Sequence, residues 1–179
     1  WKQLSDGQSR RFTWAVSYSR DGLRWSDFRN VIDGGTVQYY VKAMPCTDSD
    51  DIRLVMSSYP RNSNTDLRVA FYNPNRKTVT DQQNKNLYRL KSKGWGLSFK
   101  KADVAVKKEK GSRNRLLDVG FTERKRTVIA YASGSDASDA DYRVTEVKGK
   151  KKQTATLTNS GSAFYRPSWY FGGRAFSSK

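Results

Sequence analysis

The feature that most constrains the fold is a pair of strand-like runs that occurs twice, starting first at Ile52 and again at Thr127. Ile52-Arg53-Leu54-Val55 followed by Asp66-Leu67-Arg68-Val69 is echoed by Thr127-Val128-Ile129-Ala130 followed by Asp141-Tyr142-Arg143-Val144. Each copy reads as strand, serine-containing turn, Asp, strand, with alternating inward and outward positions. One matched strand means little, because amphipathic strands resemble one another. A common offset for two strands and their link points to an internal repeat, a unit that buries its apolar face against its neighbours.

The rest of the chain agrees with an all-β reading. Phe12–Ser19, Tyr39–Met44, Ile52–Ser58, Leu67–Tyr72, Leu116–Phe121, Thr127–Ser133, Tyr142–Val147 and Trp169–Phe176 mix β-branched or aromatic residues with polar ones at short period. Asp21-Gly22, Gly34-Gly35, Asn73-Pro74-Asn75, Gly134-Ser135-Asp136 and Lys148-Gly149-Lys150 supply turns between them. Many short strands with regular turns predict a sandwich, a barrel or a propeller, and the repeat favours the propeller. At ~40–50 residues per blade, 179 residues suffice for about three to four blades. The expectation is a single partial β-propeller over 1–179, completed by another chain or by further sequence, with a lysine-rich insertion at about 84–115.

Composition limits the partners. The net charge is +17 and there is no histidine. Such an excess of cations attracts polyanions, and the missing imidazole removes the commonest general base and the commonest metal ligand together. Cys46 is the only cysteine, so neither an internal disulfide nor a cysteine zinc site can form. No metal and no cofactor is expected, and no apolar run approaches the ~20 residues of a membrane span. Between 84 and 115, eleven Lys and Arg residues face only Asp103 and Glu109. That segment reads either as a solvated loop or as an electrostatic contact for an anionic partner, and Ser98–Lys110 fits a short helix or a strand.

One motif adds local detail. Ser19-Arg20-Asp21-Gly22-Leu23-Arg24-Trp25 has the form of an Asp box with one residue fewer than usual between Asp and Trp. Asp is expected to accept backbone hydrogen bonds inside a tight hairpin, Gly to take a left-handed angle, and Trp to pack the hairpin onto its sheet. Ser19, Asp21, Gly22 and Trp25 are therefore structural candidates.

With that box, Tyr40-Val41-Lys42-Ala43, Ser57-Ser58-Tyr59-Pro60-Arg61, Asp66 to Tyr72, Leu117 to Phe121, Val128 to Tyr131, Asp141 to Val144 and Tyr170-Phe171-Gly172-Gly173 follow in an order and spacing that resemble the BNR-repeat β-propeller family, which includes polysaccharide lyases such as the ulvan lyases. The resemblance runs from Trp14 to Phe176. It implies a seven-bladed propeller that binds or cleaves carbohydrate, and an extracellular or periplasmic location. The lyase members cut uronic-acid glycans by β-elimination, in which one group neutralises the carboxylate, a base takes the adjacent proton and an acid serves the leaving oxygen. Arg suits the first role and Tyr or His the others.

The resemblance singles out Tyr59, Tyr131 and Arg143 as candidates for catalysis, and Lys42, Arg61, Arg68, Tyr165 and Trp169 for ligand binding. Family members often carry His where this chain has Tyr59, Val69 and Ala140 or Asp141, so a His-dependent elimination is outside its reach. The favoured expectation is a module that holds an acidic polysaccharide or another anionic surface. A Tyr/Arg polysaccharide lyase and a nucleic-acid binder using Tyr88, Trp95 and Phe99 are the alternatives. A sialidase would need an arginine cluster with a carboxylate-activated Tyr, and no spacing around Glu123 or Glu146 supplies one.

Overall fold

The computed structural model describes residues 11–36, 39–58, 65–120, 123–135 and 140–158. The described residues form strands with a single 3-10 turn, Phe99–Lys101, and no α-helix. The strands are Phe12–Val16 (β1), Arg29–Gly35 (β2), Tyr39–Pro45 (β3), Ile52–Ser58 (β4), Leu67–Asn73 (β5), Thr78–Thr80 (β6), Asn86–Arg89 (β7), Leu97–Ser98 (β8), Asp103–Val106 (β9), Arg113–Gly120 (β10), Arg126–Gly134 (β11), Ala140–Lys148 (β12) and Lys151–Thr158 (β13). They make three sheets. The first is ordered β1-β2-β8, the middle one β3-β4-β5-β6-β7 with β9 also on β5, and the third β10-β11-β12-β13.

The echo seen in the sequence is matched in register. Val55 pairs with Val69 and, at the offset that carries Ile52 to Thr127, Ala130 pairs with Val144. The strand before each hairpin follows the same rule, since Val41 faces Met56 as Leu116 faces Tyr131. A bulge between Leu116 and Asp118 then breaks the match in the third sheet. Both copies are therefore antiparallel meanders, β3-β4-β5-β6 and β10-β11-β12-β13.

The repeat also governs how the sheets stack. Leu54, Met56, Ala70 and Tyr72 point from the middle sheet into a core shared with Val31, Ile32 and Leu97 of the first. The opposite face of the middle sheet sends Val55, Val69 and Phe71 into a second core with Leu116, Ile129, Tyr131 and Val147 of the third. Under the same offset, Leu54, Met56 and Tyr72 become Ile129, Tyr131 and Val147. Each sheet thus turns the equivalent face toward the sheet before it. The middle sheet is buried on both faces, which is why β4 and β5 read as nearly continuous apolar runs. Fully covering a residue such as Phe71 or Val55 contributes about 1.5–3 kcal/mol.

Some expectations are revised. The 84–115 segment is not a loop hung on the repeat. It supplies β7, β8, the 3-10 turn, β9 and the start of β10, and so threads all three sheets. Gly34-Gly35 ends β2, and Gly35 takes the left-handed φ of +62° where the chain leaves the strand. Gly96, at φ +97°, lets the chain press against β2, where a Cβ would lie 2.7 Å from the Val31 carbonyl carbon. Strand β13 has no apolar alternation, and its described side chains, Lys151 to Leu157, are exposed; pairing to β12 holds it. The expected strand Trp169–Phe176 lies outside the described residues.

The third sheet is fastened to the middle one by buried arginines. Arg124, in the turn before β11, has its guanidinium 4.3 Å from the Phe71 ring centre. It donates to Asp51 Oδ2 at 2.5 Å, Thr80 Oγ1 at 2.9 Å, the Asp81 carbonyl at 2.9 Å and the Gln82 carbonyl at 3.2 Å. Arg53, fully buried on β4, donates back to the carbonyls of Glu123 and Arg126. Its burial holds its pKa below the ordinary arginine value.

Candidate functional site

The Asp-box segment closes the β1–β2 hairpin. Ser19 and Trp25 form a bridge, and the Ser26 amide donates to the Tyr18 carbonyl at 2.9 Å. Asp21 Oδ1 accepts the amides of Leu23 and Arg24, each at 2.9 Å, and the Ser19 hydroxyl at 3.0 Å. The Gly22 amide donates to Ser19 Oγ at 2.8 Å, and Gly22 sits at φ +76°. The two backbone hydrogen bonds, then the serine, hold the Asp21 pKa below the ordinary carboxylate value. Asp21 and Gly22 thus do what the sequence predicts of them.

Trp25 does not. It is 65% exposed and packs no sheet. Tyr18 is 55% exposed beside it. Together with Arg20, Asp21 and Arg24 these rings line an open groove of about 380 Å³. Both arginines are exposed and have no ion-pair partner among the described residues.

Of the eight residues singled out by the resemblance, the four that are described have partners within the scaffold. Tyr131 is 2% exposed, lies in the second core and shares a 3.2 Å hydrogen bond with Thr145. Arg143 is its register partner on β12, but its guanidinium is held by Glu109 at 2.6 Å and Asp141 at 3.3 Å. The Glu109 bond raises the Arg143 pKa. Arg68 donates to the carbonyls of Lys100 and Ala102 at 3.0 and 2.7 Å and covers Phe99, so it anchors the 3-10 turn to β5. Lys42 pairs with Asp118 at 3.0 Å, tying β3 to β10. Tyr59, Arg61, Tyr165 and Trp169 lie outside the described residues.

The alternatives fare differently. Phe99 is buried and Tyr88 packs against the first core. Of the three aromatics that suggest nucleic-acid stacking, Trp95 alone is exposed, and Arg11 covers it at 4.4 Å. Glu146 pairs with Arg126, and Glu123 is exposed in a turn with its carbonyl taken by Arg53. No three His, Cys, Asp or Glu among the described residues group to hold a metal ion. Among them, too, no helix is long and apolar enough to cross a membrane.

Exposed lysines lie elsewhere. Lys152 Nζ donates to the Val104 carbonyl at 2.7 Å, which sets the β12–β13 hairpin beside β9. At the hairpin tip Lys148 pairs with Lys151, and Lys148, Lys150, Lys151 and Lys152 are all exposed, as are Lys100 and Lys101 of the 3-10 turn. In the sequence the tip shows only as the Lys148-Gly149-Lys150 turn signal, and Val104 and Lys152, which meet here, are 48 positions apart.

No family model matches the chain, and neither the curated proteins nor the solved structures hold a match to it.

Proposed function

We propose that this chain is a carbohydrate-associated module that holds an acidic polysaccharide, as part of a larger β-propeller. The observation that carries the reading is the tip of the β12–β13 hairpin, where Lys148, Lys150, Lys151 and Lys152 are all exposed and Lys148 pairs directly with Lys151, whereas Arg53, Arg68, Arg124 and Arg143 are held by internal partners. Like charges brought together at a surface cost energy unless a counter-charge is supplied, and a polyanion supplies it at many points at once.

The head-to-tail order of the sheets supports the propeller reading. Blades of a propeller stack with each sheet turning an equivalent face to its predecessor, and the second and third sheets do so in matched register. The far face of the third sheet carries Leu117, Ala130, Ala132 and Ala140, with Tyr142 and Val144 packed against them. Those positions correspond to the face by which the middle sheet receives the third.

Binding is favoured over cleavage because the described lyase candidates are occupied: Tyr131 in the core, Arg143 by two carboxylates. The test is retention on immobilised polygalacturonate at low salt, with absorbance followed for unsaturated uronides. The expected result is retention without new absorbance and without retention on a neutral glucan. Failure to bind polygalacturonate at low salt, or tighter binding of duplex DNA than of polygalacturonate, would overturn the reading.

A further inference from the structure

We propose that the groove of the Asp-box hairpin, into which the exposed Trp25 and Tyr18 face, is a saccharide subsite for uronic-acid residues. The Trp25 ring is 65% exposed, Tyr18 is 55% exposed next to it, and the groove between them and Arg20 and Arg24 holds about 380 Å³. That volume falls within the range of small-ligand clefts.

The chemistry is complementary to an acidic sugar. An indole and a phenol ring offer flat apolar faces with a polar edge, which suits the C–H face of a pyranose. The guanidiniums of Arg20 and Arg24, which have no ion-pair partner among the described residues, flank them, and a guanidinium binds a carboxylate bidentately. Asp21 is the one acid in the groove. Its Oδ1 already accepts two amides and a hydroxyl, so its charge is largely met from within the hairpin. The hairpin is also rigid before any ligand arrives. Tyr18 and Ser26 are joined by the Ser26 amide to the Tyr18 carbonyl and by the Tyr18 amide to Ser26 Oγ at 3.1 Å, and Ser17 Oγ donates to the Ser26 carbonyl at 2.6 Å. A preformed platform loses little order on binding.

This inference rests on the acidic-polysaccharide reading but concerns a different surface from the lysines of the β12–β13 tip. The experiment compares the full chain with Tyr18→Ala/Trp25→Ala and with Arg20→Gln/Arg24→Gln. The probes are a galacturonate hexasaccharide, a neutral glucan hexasaccharide and inorganic polyphosphate of similar charge. Binding is read by calorimetry, and folding by far-ultraviolet circular dichroism and melting temperature. The expected result is a tenfold or greater loss of hexagalacturonate affinity in both variants, with polyphosphate affinity of the aromatic variant unchanged and melting temperatures close to the parent. The parent should also show a shift of tryptophan emission with hexagalacturonate that Trp25→Ala removes. Hexagalacturonate binding unchanged in both variants would overturn the subsite and leave the broader reading standing. A parent that binds polyphosphate but not hexagalacturonate would overturn both. A parent that binds neutral glucan equally well would overturn the uronic-acid specificity.

Discussion

Replacing Arg124 with Ala removes the fastener between the middle and third sheets. The Arg124 side chain is 7% exposed and its partner Asp51 is 3% exposed. The substitution strips Asp51 of a 2.5 Å charge-assisted bond and leaves Asn73 Nδ2, at 2.8 Å, as the remaining neutral donor to that carboxylate. It also withdraws donors from Thr80 and from the Asp81 and Gln82 carbonyls, and takes a cation from the face of Phe71. Breaking a buried pair by removing one partner costs about 3–5 kcal/mol, because the other charge stays behind without compensation. With a urea m-value of roughly 2 kcal/mol/M, the unfolding midpoint should fall by about 2 M.

Arg76 supplies the control. It reaches the same Asp51 at 3.9 Å but is 67% exposed, so Arg76→Ala should cost less than about 0.5 kcal/mol. Combining Arg124→Ala with Asp51→Asn should cost less than the sum of the two, since the second change removes the stranded charge. The assay is equilibrium urea denaturation followed by tryptophan emission and far-ultraviolet circular dichroism together. An Arg124→Ala loss below about 1 kcal/mol, or equal effects at Arg76 and Arg124, would refute the argument that this arginine joins the sheets.

Three further outcomes follow from particular contacts. The Asp21 pKa is lowered by the Leu23 and Arg24 amides, so its contribution to hairpin order is complete above the ordinary carboxylate value of about 3.9 and is lost as pH falls through the lowered value. Amide shifts of Leu23 and Arg24 should therefore titrate below that value, and a midpoint at or above it would contradict the capping role. Gly96→Ala should destabilise the first sheet by more than about 2 kcal/mol, because the added Cβ meets the Val31 backbone at 2.7 Å and φ is +97°; calorimetric melting checks it, and an unchanged melt would be the contrary result. Tyr131→Phe removes one hydrogen bond to Thr145, which keeps its bond to Thr154 at 2.8 Å. It should cost about 1 kcal/mol and leave polygalacturonate affinity unchanged, whereas a loss of binding with stability intact would return Tyr131 to the site.

The repeat and the all-β class were legible because apolar alternation and a fixed offset survive in one dimension. Ile52 to Val55 and Thr127 to Ala130 show the spacing, and pairing turns it into matched register. The short strands β6 to β9 were not legible, since two to four residues do not complete a pattern of period two. Nor were the roles of Arg53, Arg68 and Arg124, whose partners are largely backbone carbonyls that no residue type announces. Asp21 and Gly22 were readable because their chemistry is local. The exposure of Trp25 was not readable, because whether a ring is buried depends on what the rest of the fold packs against it. The facing of Lys148 and Lys151 across the β12–β13 tip required the strand register, and the approach of Lys152 to Val104 joins positions far apart in the chain.

The central claim is that the excess charge forms a surface for an acidic polymer. It is tested most directly by the salt dependence of polygalacturonate binding for the parent and for a variant with Lys100, Lys101, Lys148, Lys150 and Lys151 changed to Gln, which spares the Lys152 contact. Binding through several cations releases counterions, so affinity falls steeply with salt and the slope scales with the number of contacts. The account predicts a steep slope for the parent, a clearly shallower slope for the variant and at least a tenfold loss of affinity at low salt, with the melting temperature preserved. The same slope and the same affinity in both proteins would contradict it.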